Sequence, residues 1–286
     1  MKYFTLFICA LFICSIQDVS AQKLDRQDLL AWCIVPFDSE KRTPLERIKM
    51  LRRLGLHRYA YDWREEHLAE MSLEWSVAER YDVEVSAVWM YINGDRDTLG
   101  DLGELNERVF QTIERTGIKT DLWVSFNQNY FNEVTTGGEL VKAAEMINYL
   151  AKRAAQAGCR IGLYNHGGDW FGDPRNQIRI IEQLDHKNIG LVYNFHHAHE
   201  QLEEFGQLVS DMLPYLWTVN LNGMRAGGPK ILAIGEGDRE KDMVRSLLEK
   251  GYDGDFGIIG HIDTADVEVV LRNNLNGLTK LGLLAE

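Results

Sequence analysis

Apolar runs of strand length alternate with amphipathic helical stretches from one end of this chain to the other. That alternation restricts the chain to an α/β architecture. Eight runs qualify as strands: residues 29–35, 58–61, 83–92, 121–126, 160–165, 189–195, 216–221 and 254–260. Their apolar character is nearly continuous, as parallel strands covered by helices require. Helix starts are marked between them. Thr43-Pro44-Leu45-Glu46 is a capping box with proline at the first helical position. Asp173-Pro174 opens another helix in the same way, and Leu140, Ala144, Ile147, Ala151 and Ala154 form one stripe at helical spacing. Four helices end in a glycine that leads straight into a strand: Gly55, Gly117, Gly158 and Gly251. Glycine tolerates the left-handed conformation that stops a helix. Eight strands with such joints in 286 residues predict a single closed (β/α)8 barrel. An open doubly wound sheet is the alternative, and it lacks the G-x-G-x-x-G turn after the first strand.

Residues 1–21 stand apart. Lys2 precedes an almost uncharged apolar run over residues 3–16, and Val19-Ser20-Ala21 supplies small residues before Gln22. This is the layout of a secretory signal peptide. The run falls short of the about 20 apolar residues of a membrane span, although an uncleaved N-terminal anchor is the competing reading. The expectation is an exported protein, periplasmic or secreted, whose mature part is residues 22–286. Only 5 prolines and no low-complexity tract interrupt that part, which points to one domain. Cys33 and Cys159 remain in it, and both lie in apolar sequence expected to bury them as free thiols. The formal charge of −12 disfavours nucleic acid and anionic membrane surfaces as partners.

A barrel of this kind carries its site on the loops after the strands. Polar residues gather there: Asp62-Trp63-Arg64, Asn127-Gln128-Asn129, Tyr164-Asn165-His166, Asn194-Phe195-His196-His197 and Asn220-Leu221-Asn222. Five of the eight histidines, His166, His196, His197, His199 and His261, fall at strand ends. Histidine serves as acid, base or ligand near neutral pH, though any one of them is as readily a hydrogen-bonded structural residue. His57, His67 and His186 read as structural.

At these residues the chain resembles the xylose isomerase-like TIM-barrel superfamily of sugar isomerases and epimerases. The resemblance rests on Tyr164-Asn165-His166-Gly167-Gly168, Asn194 with His197, Val219-Asn220-Leu221-Asn222, Gly235-Glu236-Gly237-Asp238 and Gly251-Tyr252-Asp253-Gly254. It implies a divalent metal held by Glu, Asp, His and Glu on four strand ends. Here Tyr164, Asn194, Asn220 and Ile259 stand at those positions. Neutral groups cannot offset a double positive charge, so the usual metal site is expected to be lost. A rebuilt centre on His166, His197 and His199 is the alternative.

The resemblance also implies proton transfer beside a sugar carbonyl. His166 and His197 are the expected acid and base, with Glu236 as a third candidate. Asp62, Asn165, Asn194, Asn220, Asn222, Lys230 and His261 are expected to bind substrate, and Trp63, Trp170 and Phe171 offer flat faces for a sugar ring. Export points to a neutral, oxidised or glycosidic sugar. An isomerase or epimerase, a keto-sugar lyase or hydratase, and a catalytically silent sugar-binding barrel all fit these residues. A metal-dependent endonuclease fits poorly, given the charge and the missing ligands. The sequence leaves the sugar, the metal content and the oligomeric state open.

Overall fold

The computed structural model describes residues 23–132, 134–135, 137–167 and 170–285. The signal-peptide reading of residues 1–21 lies outside the described residues. Eight strands form: β1 (Leu29–Trp32), β2 (Arg58–Tyr61), β3 (Glu84–Ile92), β4 (Asp121–Phe126), β5 (Arg160–Tyr164), β6 (Ile189–Asn194), β7 (Leu216–Leu221) and β8 (Asp255–Ile259). Each pairs in parallel with the next, and β8 pairs with β1, which closes a barrel. The helices around it are α1 (Pro44–Arg53), α2 (Met71–Arg80), α3 (Glu104–Thr116), α4 (Glu139–Ala157), α5 (Pro174–Gln183), α6 (Phe205–Met212), α7 (Glu240–Glu249) and α8 (Val267–Lys280). The expected (β/α)8 barrel is therefore the fold. Among the described residues no helix is long and apolar enough to cross a membrane.

The start and stop signals act as their chemistry dictates. The Thr43 N–H donates to the Glu46 carboxylate at 2.9 Å, and Asp173 accepts from the Arg175 N–H at 2.9 Å. Gly55, Gly117, Gly158 and Gly251 all take positive φ, between 70° and 86°. A side chain in that region costs about 1–2 kcal/mol. A Cβ at Gly117 would meet nothing within 4 Å, so only the backbone conformation is at stake there. Gly117→Ala is expected to lower unfolding free energy by about 1–2 kcal/mol in urea melts. An unchanged midpoint would show that the end of α3 does not need the left-handed turn.

One boundary shift shapes the site. The run 29–35 leaves the ladder after Trp32, because Cys33 takes a left-handed φ of 54°. The turned chain sends the Ile34 and Val35 N–H groups to Asp62 at the end of β2, 3.1 Å each. Both cysteines are buried free thiols.

The main core lies between sheet and helices. A second, smaller cluster fills the barrel interior with Leu30, Trp32, Trp123, Tyr164, Val192 and Ile259. Trp32 meets Trp123 edge-on at 4.9 Å and Tyr164 at 5.6 Å. Small residues, Ala60 and Ala87, make room for these rings. The interior is thus plugged, and the C-terminal mouth forms a pocket above the plug.

Candidate active site

A pocket of about 330 Å³ opens at this mouth. The loop after β1 brings Cys33 and Phe37 beside Trp32; β2 delivers Asp62 and Arg64, and β3 delivers Trp89. From β5 come Tyr164 and His166, from β6 His196 and His197, and from the end of β8 His261.

The imidazoles form a chain. Ring centroids lie 4.5 Å apart for His166 and His197, 4.0 Å for His197 and His196, and 6.0 Å for His196 and His261. All four are held neutral. Burial first, and then the repulsion of His166, pushes His197 down to about 2. Burial with the nearby Lys230 brings His166 and His261 each to about 4. His196 lies well below the usual range, chiefly through burial. The Gly167 N–H donates to His197 Nδ1 at 3.0 Å. The proton of the neutral ring therefore sits on Nε2, which makes His197 a fixed donor rather than a base.

This cluster has a stability cost on the acid side. The unfolded chain protonates these rings below about pH 6.5, whereas the folded chain resists until about pH 4 at His166 and His261. Their stabilising contribution is complete above pH 6.5 and is lost as pH falls toward 4. Urea melts should show this slope. His261→Gln, which cannot titrate, is expected to flatten it; an unchanged slope would place the acid sensitivity elsewhere.

Asp62 is buried, and its Oδ1 accepts the two N–H bonds from the β1 loop. Oδ2 has no hydrogen-bond partner among the described residues. Burial pushes this carboxyl up to about 7, against the opposing pull of Arg64 and the backbone donors. The neighbouring Cys33 thiol is itself pushed up, by burial and then by Asp62.

The four positions where the resemblance places metal ligands hold no set fit for a divalent cation. Trp32 Nε1 donates to the Tyr164 hydroxyl at 3.1 Å, and Ile259 belongs to the apolar plug. Asn194 Nδ2 donates to Asn165 Oδ1 at 2.8 Å, and Asn220 Nδ2 donates to Asn194 Oδ1 at 2.7 Å. These amides satisfy one another beneath the pocket and bring no negative charge. Asn220 Oδ1 lies where a Cβ on Gly257 would come within 2.0 Å, so the amide chain depends on that glycine. Among the described residues, no three His, Cys, Asp or Glu side chains are grouped to hold a metal ion.

The expected site residues are thus partly brought together. Asp62, His166, His197 and His261 line the pocket. Asn165, Asn194 and Asn220 lie buried under it, while Asn222 donates to the carbonyls of Gly223 and Lys230. His199 does not join the other histidines in a rebuilt centre. Its ring nitrogens face the carbonyls of Arg225 (2.9 Å) and Lys230 (3.1 Å), so it clamps the loop after β7. Glu236 is exposed and outside the pocket. The buried carboxylate of that turn is Glu240, which accepts from Met224, Gly235 and Gly237 N–H. Trp63 is spent on the core and on the Trp89 carbonyl, and Trp170 packs against Phe131. Phe171 is buried against Phe126. The flat pocket walls are instead Trp32, Phe37 and Trp89. Their sequence reads simply as strand or core, which hides them.

Fold and site together define a (β/α)8 barrel with a pocket at the C-terminal mouth of its strands. Residues 60–271 match the xylose isomerase-like TIM barrel family, and the chain belongs to that family. No curated protein matches it in sequence. Among solved structures, it is similar to a D-psicose 3-epimerase crystallised with D-fructose: 14% identity, TM-score 0.66, covering 88% of this chain and 98% of that one. An L-ribulose 3-epimerase gives 14% identity and a TM-score of 0.65, covering 89% and 95%. A probable 3-DHS dehydratase from Bacillus anthracis gives 13% and 0.61, covering 88% and 98%. At such identities the likeness is one of fold.

Proposed function

We propose that this protein is an exported, carbohydrate-active enzyme of the isomerase/epimerase type, moving a proton on the carbon beside a sugar carbonyl. The observation that carries the reading is Asp62: a buried carboxyl raised to about 7, with one unpartnered oxygen, in a pocket of neutral imidazoles. A base poised near the working pH transfers protons best. Asp62 takes the proton from the carbon next to the carbonyl. The C–H electron pair becomes the double bond of an enediolate, and the carbonyl oxygen becomes the oxyanion. His197 Nε2–H donates to that oxyanion, as a neutral imidazole does in other proton-transfer sites. Return of the proton from Asp62 to the adjacent carbon isomerises; epimerisation takes a proton from a second group on the opposite face, with Asp62 then losing its proton to water and the donor regaining one from it. His166 is the second exchangeable group within reach of His197. No step needs a divalent metal, in keeping with the amide chain at the ligand positions.

The likeness to the epimerases and the family membership support this reading, and residues 1–21 carry its export. A keto-sugar lyase is the second reading: the same enediolate would expel a hydroxyl on the next carbon, and the barrel also resembles that of a probable dehydratase, at a TM-score of 0.61 against 0.66 for the epimerase. Incubation with ketoses and keto-glycosides, followed by chromatography, tests both. Conversion to an epimer or isomer supports the first, and loss of water the second. Tight binding of a sugar with no conversion in any incubation would overturn both in favour of a sugar-binding barrel.

A further inference from the structure

One cation lines the pocket of this acidic protein, and a second stands on the neighbouring loop. Arg64 lines it, with its guanidinium over the rings of Phe37 (5.2 Å) and Trp89 (5.4 Å) and one nitrogen donating to the Trp63 carbonyl at 2.8 Å. These contacts fix the planar fork, and its other donors have no carboxylate partner among the described residues. Lys230 comes from the loop after β7, where its carbonyl is held by His199 Nε2 (3.1 Å) and Asn222 Nδ2 (3.3 Å). Its neighbour Ile231 packs on the pocket's aromatic cluster. The Lys230 ammonium is close enough to depress all four pocket imidazoles. Arg64 lines the pocket, and Lys230, exposed on the loop after β7, stands near enough to act on the same Cys33 and His261.

Neither cation is ion-paired to a described carboxylate. Burial lowers the Lys230 ammonium, and no carboxylate counters it. Asp62, which Arg64 acts on, already accepts two backbone N–H groups, and Asp263 acts on His261. Lys230 is exposed, so its ammonium is free to meet an anion that arrives from solvent.

We propose that the pocket takes an anionic sugar, its negative charge, on a carboxylate or a sulfate ester, held between Arg64 and Lys230. This rests on the sugar reading above and names the substrate class.

Calorimetry on the mature chain tests it with glucose, glucuronate, glucose 6-sulfate, the corresponding galactose set, and tartrate as a non-sugar acid. The expected result is that an acidic sugar binds at least about tenfold more tightly than its neutral counterpart, with affinity falling as salt rises. Whichever of the carboxylate and sulfate forms binds more tightly identifies the source of the charge. Lys230→Met and Arg64→Met should each weaken the acid roughly tenfold to hundredfold, narrow the gap between acidic and neutral sugar, and preserve the melting midpoint. Lys230→Arg should retain binding. Equal affinity for neutral and acidic forms, or failure of every acidic sugar to bind at millimolar concentration, overturns the proposal. Tartrate binding as tightly as the sugar acids upholds the anion site but removes the sugar reading on which its name depends.

Discussion

Asp62→Asn is expected to cut turnover by about 10²- to 10⁴-fold while making the protein more stable at pH 8. Asparagine keeps an oxygen for the Ile34 and Val35 N–H groups, so the link between β1 and β2 survives. It loses the ability to take a proton from carbon. The stability gain follows from the raised carboxyl. In the folded chain Asp62 holds its proton up to about pH 7, whereas the ordinary aspartate value is 3.8. The folded state therefore carries a proton that the unfolded state has released between those limits. Stability from this group is greatest below pH 4 and falls as pH rises toward 7, by about 4 kcal/mol at most. Removing the charge should recover about half of that at pH 8 and almost none at pH 4. Urea melts at both values, beside activity assays, check it. Unchanged turnover would remove Asp62 from the chemistry, and a loss of stability confined to pH 8 would show that its carboxylate is well solvated or paired.

Asn194→Asp tests the former metal position. Asn194 is fully buried, and its amide both donates to Asn165 and accepts from Asn220. Aspartate at this site sets an oxygen against Asn165 Oδ1 and buries a charge with no cation to meet it. The cost at pH 8 is expected to be about 3 kcal/mol or more. It should shrink toward pH 5, as the carboxyl takes a proton and regains a donor. Added magnesium, manganese or zinc should not restore stability, because Tyr164, Asn220 and Ile259 offer no further anionic ligand. Full rescue by one of these ions would show that a metal site survives in the barrel.

Much of the architecture was legible in the sequence, and for physical reasons. Runs 58–61, 121–126 and 216–221 match their strands residue for residue, since local pattern and neighbouring breakers agree there. The early end of β1 was not legible. Cys33 has no local reason to adopt positive φ; the turn is repaid by hydrogen bonds to Asp62, remote in sequence.

The site was legible by position but not by orientation. Histidines at strand ends did gather at the barrel mouth, yet His199, two residues beyond His197, turns away to clamp a loop. Glu236 and Glu240 are both glutamates near one turn, and only three-dimensional convergence of N–H groups on Glu240 decides which is buried. Pocket aromatics such as Trp32 and Trp89 carry the same sequence signature as core residues. Arg64 was visible beside Asp62, but its unpaired state depends on what the other loops bring near it.

Metal-free proton abstraction by Asp62 is tested most directly by deuterium exchange. Wild-type protein, stripped with chelator, is incubated in D2O with the sugar that binds most tightly in keto form, and the proton beside the carbonyl is followed by NMR. Washout of that proton by the chelated wild type, and its persistence with Asp62→Asn, is the expected result. Washout that appears only after a divalent metal is returned, or that continues undiminished in Asp62→Asn, would contradict it.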